Sequence, residues 1–277
     1  MRRFQFVWVQ MLLLAVLSGQ AAAAEAVYTV AVVPQSPAPV VQREWSPLLA
    51  RLETETGLRL ELKFYPSIPD FERGVMAGEP DFAYMNPYLA VMARKSQNYI
   101  PLLREGKQDL VGILVVQKES RLQGVHQLDG QVVAFPSPNA LAASLYMRAL
   151  LAEKEKIRII PSYVKTHGNV YRHVLLGKAA AGGGVNKTLK KEPASLQGAL
   201  RILYQTPGLA PHPLCVHPRV PEAVAARLVV AILGLANDAD GKAKLASIAI
   251  PNPVRADYQR DYASLAELGL ENFQVNE

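Results

Sequence analysis

Apolar and polar residues alternate along this chain with two periods, one typical of strands and one typical of helices. Residues 27–33 form a run rich in β-branched side chains, which predicts a buried parallel strand. Residues 58–64 place an apolar side chain at every second position, the pattern of a half-buried strand. Similar runs predict further strands at residues 82–85, 110–117, 131–135, 157–163, 180–185 and 200–205.

Helix signals lie between these strands. Ser46 followed by Pro47 predicts a helix start, and Gly57 predicts the end of the same helix. The apolar residues Val224, Leu228, Ile232 and Leu235 share one face of a helix that we expect to start near Pro221. Further helices are predicted near residues 70–77, from residue 87 onward, at 139–153 and at 169–176.

The order of these elements predicts the fold class. Strands that alternate with helices indicate an α/β protein with parallel sheets and helices on both faces. In such folds ligands bind beyond the carboxyl ends of the strands. The chain is long enough for one large or two small domains, and the pattern alone does not fix how many lobes form.

The first twenty-four residues have the three parts of a secretory signal peptide. Arg2 and Arg3 give a basic start, residues 6–17 are almost entirely apolar, and residues 21–24 are all alanine. The apolar run is too short for a membrane anchor, which needs about 20 residues. We therefore expect export with cleavage after Ala24, no lipid anchor because no Cys is near that site, and a periplasmic location.

Charge and cysteine content narrow the function. Without Arg2 and Arg3 the net charge falls from +6 to +4, and the remaining basic residues are not clustered with aromatic residues. A nucleic-acid-binding protein is therefore not expected, and a weak preference for anionic ligands is the most that the charge supports. Cys215 is the only cysteine and lies in an apolar stretch, so we expect a buried thiol and no internal disulfide.

Five segments together are similar to one known family, the phosphate/phosphite/phosphonate-type periplasmic solute-binding proteins of ABC transporters. They occur in the same order and at the same spacing as in that family, and they cover nearly all of the chain after residue 24. The segments are Pro-Asp-Phe-Ala-Tyr-Met-Asn-Pro-Tyr at 80–88, Leu-Asp-Gly-Gln-Val-Val-Ala-Phe at 128–135, Thr-His-Gly-Asn at 166–169, Leu-Gly-Lys-Ala at 176–179 and Gln-Thr-Pro-Gly at 205–208.

The resemblance implies a two-lobed periplasmic-binding-protein fold of type II topology. Each lobe would be a mostly parallel sheet flanked by helices. Residues 25–112 and 214–277 would form the first lobe, and residues 113–213 the second. Two strand-like crossings would form a hinge, and ligand would be trapped between the lobes when that hinge closes.

The resemblance also implies that an oxyanion binds at the start of the helix after residues 132–135. A helix start offers free backbone N–H groups and a partial positive charge to an anion. Family members usually add hydroxyl side chains there, whereas this chain has Ala140, Leu141 and Ala142. Ser137 and Asn139 could replace part of those donors, and Asn139 could equally be a helix cap with or without ligand contact.

Other candidate ligand-binding residues follow from the same resemblance. His167 matches a histidine that contacts the ligand oxyanion, although a histidine buried for packing would look the same in sequence. Family members place aromatic residues against the ligand where this chain has Tyr84 and Tyr88, and core packing is the alternative for both. Three amides complete the expected site: Asn86, Asn169 and Asn186.

These features predict a transport receptor that binds a small anionic solute and delivers it to the membrane permease of an ABC transporter. A periplasmic sensor or input protein for a membrane histidine kinase, with another small ligand, is the alternative. No Gly-x-Ser-x-Gly or His-Glu-x-x-His motif occurs, and we expect neither an enzyme nor a metal or other cofactor. The two histidine pairs, at 167/173 and 212/217, lack carboxylates at metal-ligand spacing. We expect a monomer.

Overall fold

The computed structural model describes residues 26–275, so the predicted signal peptide lies outside the described residues. Eleven strands form within this range and divide between two sheets. The strands are β1 (Val27–Val32), β2 (Arg59–Lys63), β3 (Phe82–Tyr84), β4 (Ile100–Glu105), β5 (Gly112–Gln117), β6 (Val132–Phe135), β7 (Ile160–Tyr163), β8 (Ala181–Val185), β9 (Leu200–Gln205), β10 (Leu214–Val216) and β11 (Pro253–Arg255).

Helices connect most of these strands and cover the sheets. They are α1 (Ala38–Thr56), α2 (Ile68–Met76), α3 (Pro87–Gln97), α4 (residues 141–154), α5 (His167–Leu175), α6 (Asn186–Lys190), α7 (Ala194–Gly198), α8 (Glu222–Leu235), α9 (Ala239–Ser247) and α10 (Tyr258–Asp261). Short 3₁₀ turns add Val125–Leu128, Ala263–Glu267 and Leu270–Phe273. None of the helices within residues 26–275 combines the length and the apolar character that a bilayer crossing requires.

The two sheets share one strand order. The first runs β11-β4-β10-β3-β1-β2, and the second runs β7-β6-β8-β5-β9. In the first sheet β1 lies between β2 and β3, and in the second sheet β6 lies between β7 and β8 in the same way. The chain then crosses between the lobes, and the strand that follows each crossing joins the sheet it reaches: β10 lies next to β3, and β5 lies next to β8. This arrangement confirms the two-lobed α/β fold.

Most strands of each sheet run in one direction, which confirms the expected mostly parallel sheets, and the remaining strands pair antiparallel with their neighbours. In the first sheet β1 pairs in parallel with β2 and β3, but β10 pairs antiparallel with β3 and β4. In the second sheet β6 pairs in parallel with β7 and β8, but β5 pairs antiparallel with β8 and β9. β10 and β5 run against their neighbours because each arrives from the other lobe, whereas β11 follows helices of its own lobe and pairs antiparallel with β4.

The two crossings, at residues 106–111 and 206–213, are bonded to each other. Leu110 N donates to Leu209 O over 2.8 Å, and Leu209 N donates back to Leu110 O over 3.0 Å. Gly112, at the predicted lobe boundary, begins β5 of the second sheet. Since a paired ribbon can bend as one unit, the crossings have the form of the hinge that the sequence implied.

Helix α1 differs from its prediction. It begins at Ala38 and carries Pro47 in its interior, so the predicted start at Ser46-Pro47 is wrong. Its first two turns bury Val41 and Trp45, and we attribute the tolerance of an interior proline to this burial. Its end at Gly57 is confirmed, because Gly57 adopts the left-handed conformation at φ 67°.

Three buried apolar clusters hold the fold together. Two of them cover opposite faces of the second sheet, so β5 directs Leu114 to one cluster and Ile113 to the other. The largest cluster fills the first lobe and continues across the cleft into Leu141 and its neighbours at the start of α4. Cys215 is buried in the largest cluster, as expected, and burial raises the pKa of its thiol.

Close packing explains the triple glycine of β8. A Cβ at Gly183 would lie 2.1 Å from Ala143 O and 2.4 Å from the Phe135 ring. A Cβ at Gly182 would lie 2.5 Å from the Val170 side chain. The glycines therefore let α4 and α5 lie directly against β8.

We predict that Gly183→Ala destabilises the protein by about 1–3 kcal/mol, because the backbone oxygen of Ala143 cannot swing aside as a side chain could. Urea unfolding with a fixed m-value measures the change. The control is Gly234→Ala within α8, where a Cβ meets nothing within 4 Å and the helix gains up to about 1 kcal/mol. Equal midpoints for the two variants would contradict the prediction.

Candidate functional site

A small cavity lies where the two lobes meet, and we call it the cleft cavity. The first lobe contributes the residues after β1 and β3, and the second contributes the start of α4 and the start of α5. Its volume is about 10 Å³, roughly one water molecule, so the lobes touch across the cleft in this structure. The lining residues are Val33, Gln35, Ile68, Asn86, Ala140, Leu141, Ala142, Ala143, His167, Val185 and His212.

The start of α4 supplies backbone donors to the cleft cavity. The helix begins at Leu141, and its N-cap Ala140 makes no side-chain hydrogen bond. The amides of Leu141, Ala142 and Ala143 lie in the first turn, where no intrahelical acceptor exists. All three residues line the cavity, so this wall offers free N–H groups and the positive end of the helix dipole.

The first turns of α4 are wider than those of an α-helix. Leu145 N donates to Ala140 O over 3.1 Å, five residues back, and Tyr146 N donates to Leu141 O in the same way. This π-type winding is rare and often occurs at functional sites. In these turns the Leu141 side chain is 2% exposed and packs into the core of the first lobe. The leucine side chain therefore fills space at the helix start.

His167 is the clearest polar group on the second-lobe wall. It is the first residue of α5 and is 2% exposed. Its Nδ1 lies 3.2 Å from Thr188 Oγ1, whereas its Nε2 is buried without a hydrogen-bond partner among residues 26–275. Burial lowers the pKa of His167 to about 4, so the ring is neutral at neutral pH. A neutral ring with its proton on Nε2 is a donor into the cavity.

His212 is a cleft residue that the sequence did not identify as a ligand candidate. Its Nε2 lies 3.3 Å from Gln35 Nε2, and its ring stacks against Tyr84 with 5.5 Å between centroids. Burial is the main cause that lowers the pKa of His212 to about 3, and the charges of Lys187 and His167 add to it. The crossing at 206–213 places this side chain in the cleft, and no local pattern marks that placement.

A second cavity of about 60 Å³ adjoins the cleft cavity, and we call it the side cavity. The two share Val33, Gln35, Val185 and His212. The side cavity is also lined by Trp45, Tyr84, Glu44, Lys187, Thr188 and Lys191. Burial lowers the pKa of Lys187, whose ammonium donates to Ala249 O over 3.2 Å.

The structure brings three of the predicted ligand-binding residues to these cavities. Asn86 and His167 line the cleft cavity, and Tyr84 lines the side cavity. Asn86 also caps α3, because its Oδ1 accepts from Leu89 N over 2.8 Å. Tyr84 is buried against Trp45 as well, with ring centroids 5.2 Å apart. Both therefore combine a packing or capping role with a place at the cleft.

The other predicted residues lie elsewhere. Ser137 follows β6 and is 3% exposed, and its Oγ has no hydrogen-bond partner in the part of the chain that the structure describes. Tyr88 lines a more open hollow of about 250 Å³ between α2, α3 and the C-terminal segment. Asn169 is exposed and donates from its amide to Val164 O. Asn186 lies at the start of α6, where its Oδ1 accepts from Lys187 N. All four residues lie outside the linings of the cleft cavity and the side cavity.

Asn139 was predicted to cap the helix after β6, and that prediction is wrong. Its Nδ2 donates to Val275 O over 2.9 Å, and its Oδ1 accepts from Val275 N over 3.1 Å. The amide therefore pairs with backbone in the C-terminal segment of the first lobe. Arg148 on α4 reaches the same segment through Phe273 O, at 2.7 Å.

A second set of contacts joins the lobes beside the side cavity. Lys191 Nζ lies 3.0 Å from Glu44 Oε2 on α1 and donates to Ser247 O over 3.1 Å. Lys191 follows α6 in the second lobe, whereas Glu44 and Ser247 belong to the first. These contacts and the pairing of Asn139 with Val275 fasten the cleft at two places.

No cluster of three or more histidine, cysteine or acidic residues suited to a metal ion occurs within residues 26–275. The residues that line the cleft cavity present amide N–H groups, two neutral imidazoles, two carboxamides and apolar side chains. Such a set can hold a small polar ligand by hydrogen bonds.

Comparison with known proteins identifies relatives at the level of the family. The model of the periplasmic substrate-binding protein of phosphonate ABC transporters matches residues 30–262. No curated protein sequence matches the chain at a significant level.

Solved structures share the fold at low sequence identity. PhnD1 from Prochlorococcus marinus in complex with methylphosphonate is 16% identical with a TM-score of 0.80, covering 90% of this chain and 99% of that one. A binding protein component of an ABC phosphonate transporter from Pseudomonas aeruginosa is 14% identical with a TM-score of 0.78, covering 90% and 88%. A Xanthomonas citri protein bound to ATP is 18% identical with a TM-score of 0.71, covering 89% and 98%. The likeness establishes the two-lobed fold.

We predict that acid destabilises the protein through His167 and His212. Both folded-state pKa values lie below the ordinary value of about 6.5, so the unfolded chain takes up protons first as the pH falls. The contribution of His167 to stability should be lost between about pH 6.5 and pH 4, and that of His212 between about pH 6.5 and pH 3, each by up to about 1.4 kcal/mol per pH unit. Urea unfolding at several pH values measures the change. His167→Gln should reduce the slope of stability against pH, and a slope equal to that of the unmodified protein would contradict the prediction.

We also predict that Lys191→Met loosens the cleft. The lost ion pair is partly exposed and contributes at most about 1 kcal/mol, so cleft opening rises by up to about fivefold. Hydrogen exchange at the amides of residues 141–145 measures the opening. Lys190→Met, an exposed neighbour, is the control. Unchanged exchange in Lys191→Met would show that this contact does not fasten the lobes.

Proposed function

The chain belongs to the family of periplasmic substrate-binding proteins of phosphonate ABC transporters, and we propose that it captures a small phosphonate-, phosphite- or phosphate-like anion between its lobes. One observation carries the proposal. The free first-turn amides of α4 and the unpartnered Nε2 of His167 line the same cavity. Backbone amides at a helix start and a neutral imidazole N–H are donors that suit an oxyanion.

Capture requires the cleft to open. The cleft cavity of about 10 Å³ is smaller than any phosphonate, and Leu141 is packed into the first lobe beside it. Bending of the paired crossings near Leu110 and Leu209 would separate the lobes. Ligand then takes the place that the leucine contact occupies, and the lobes close on it.

The family accounts for the partner and the compartment. A substrate-binding protein of an ABC importer works in the periplasm and presents its ligand to a membrane permease. We propose that this chain is exported to the periplasm by a signal peptide that is cleaved after Ala24. We also propose that it works as a monomer. Capture and release need no covalent step, which fits a solute-binding family. The family match gives no support to the alternative of a sensor for a histidine kinase.

The experiment is a thermal-shift screen of residues 25–277 with methylphosphonate, phosphite and phosphate. A ligand at 100 times its dissociation constant stabilises the fold by about 2.7 kcal/mol, a measurable shift. No stabilisation by any of the three anions would refute the proposed ligand class.

We predict that His167→Ala weakens binding of the anion that stabilises best by about 10- to 100-fold, because a hydrogen bond to a charged group is worth about 1.5–3 kcal/mol. Isothermal titration calorimetry measures the affinity. His173→Ala on the same helix is the control, since its Nδ1 contacts Asn169 O outside the cleft. Equal affinities for the two variants would remove His167 from the site.

A further inference from the structure

The charges around the cleft cavity limit the charge of the anion that it can bind, an inference that rests on the proposed function. Within residues 26–275 the walls of the cleft cavity contain no lysine, arginine, aspartate or glutamate. The polar side chains on these walls are Gln35, Asn86, His167 and His212. The two histidines are buried, at 2% and 7% exposure, and each is neutral at neutral pH.

The groups that face His167 leave it neutral. Its Nδ1 contacts Thr188 Oγ1 on α6, and that oxygen lies 2.7 Å from the Tyr171 hydroxyl on α5. His212, from the crossing, is the titratable group on the facing wall, and Lys187 lies beyond it in the side cavity. Among the residues that the structure describes, 26–275, no carboxylate lines the cleft cavity to stabilise an imidazolium.

The cations nearest the cleft are already engaged. The Lys187 ammonium donates to Ala249 O, while the nearby charge of Glu105 only partly offsets the effect of burial on the pKa of Lys187. Lys191 is paired with Glu44. Each of these positive charges therefore has a partner in the closed structure, and neither ammonium contributes to the walls of the cleft cavity.

What the cleft offers an anion is therefore small. The start of α4 provides about half a positive charge through its dipole, together with the amides of residues 141–143. The unpartnered Nε2 of His167, nine-tenths buried, points to a ligand independently of the helix start. Within residues 26–275 no cationic side chain on the cavity walls would pair with a second negative charge, and burying an unpaired charge is costly.

We propose that the cleft binds a compact anion of single charge, so that a phosphonate or phosphite is taken up in its singly protonated form. The three amides and His167 hold the charged oxygens. The hydroxyl that the ligand retains has a neutral acceptor in the carboxamide of Gln35 on the opposite wall. The apolar residues Val33, Ile68 and Leu141 face a small apolar substituent.

If the cleft accepts only single negative charges, its affinity for a phosphonate must depend on pH. Above its second pKa a phosphonate must take up one proton to bind, so its affinity falls about tenfold per pH unit. Below that pKa the affinity is constant. Methanesulfonate has a similar shape and carries one charge throughout this range, so its affinity should not change.

The test measures binding of methylphosphonate and methanesulfonate by calorimetry on both sides of the second pKa of methylphosphonate, in buffers of different ionisation enthalpy. We expect uptake of one proton with methylphosphonate above that pKa and none with methanesulfonate. The ³¹P chemical shift of bound methylphosphonate should remain that of the monoanion. A bound dianion shift, or methylphosphonate affinity independent of pH, would overturn the proposal.

The variant His167→Gln tells whether the proton that is taken up on binding resides on the ligand or on the imidazole of His167. If the ligand carries it, the variant binds more weakly and still takes up one proton. If uptake disappears in the variant, the proton resides on the imidazole, the site accepts dianions, and the proposal is wrong. Should this variant fail to bind, the ³¹P shift in the unmodified protein decides alone. Absence of binding by both anions would instead refute the proposed function.

Discussion

The contact between the start of helix α4 and the core of the first lobe controls the cleft. Leu141 and its alanine neighbours join the largest apolar cluster of the molecule, so burial of apolar surface holds the lobes together here. The same residues supply the free amides of the helix start. Closure and ligand binding therefore use one segment, and a ligand must replace an apolar contact with hydrogen bonds.

The strands that cross between the lobes fix the geometry of that contact. Because each crossing delivers a strand next to the third strand of the other sheet, the crossings lie side by side and bond to each other at Leu110 and Leu209. In β8, Gly183 brings the backbone of α4 against the sheet. The helix start is thus fixed to the second lobe by close packing, while the hinge sets how it meets the first.

The cleft cavity is lined by uncharged groups. Burial keeps His167 and His212 uncharged, Lys191 is paired with Glu44, and the Lys187 ammonium donates to Ala249 O. The cavity thus resembles the interior of a protein more than an ion-binding surface. Selection among anions then depends on how many oxygens find a donor and how much charge remains uncompensated.

Residue order alone was enough to predict the alternation of strands and helices, the end of α1 at Gly57 and the family. These rest on local periodicity, turn chemistry and short motifs. Tertiary structure decided the rest. It set β5 and β10 against their neighbours, placed His212 and Lys187 beside the cleft, and directed Asn139 to the C-terminal segment. Such contacts join residues distant in sequence, and no local pattern records which distant partner lowers the free energy most.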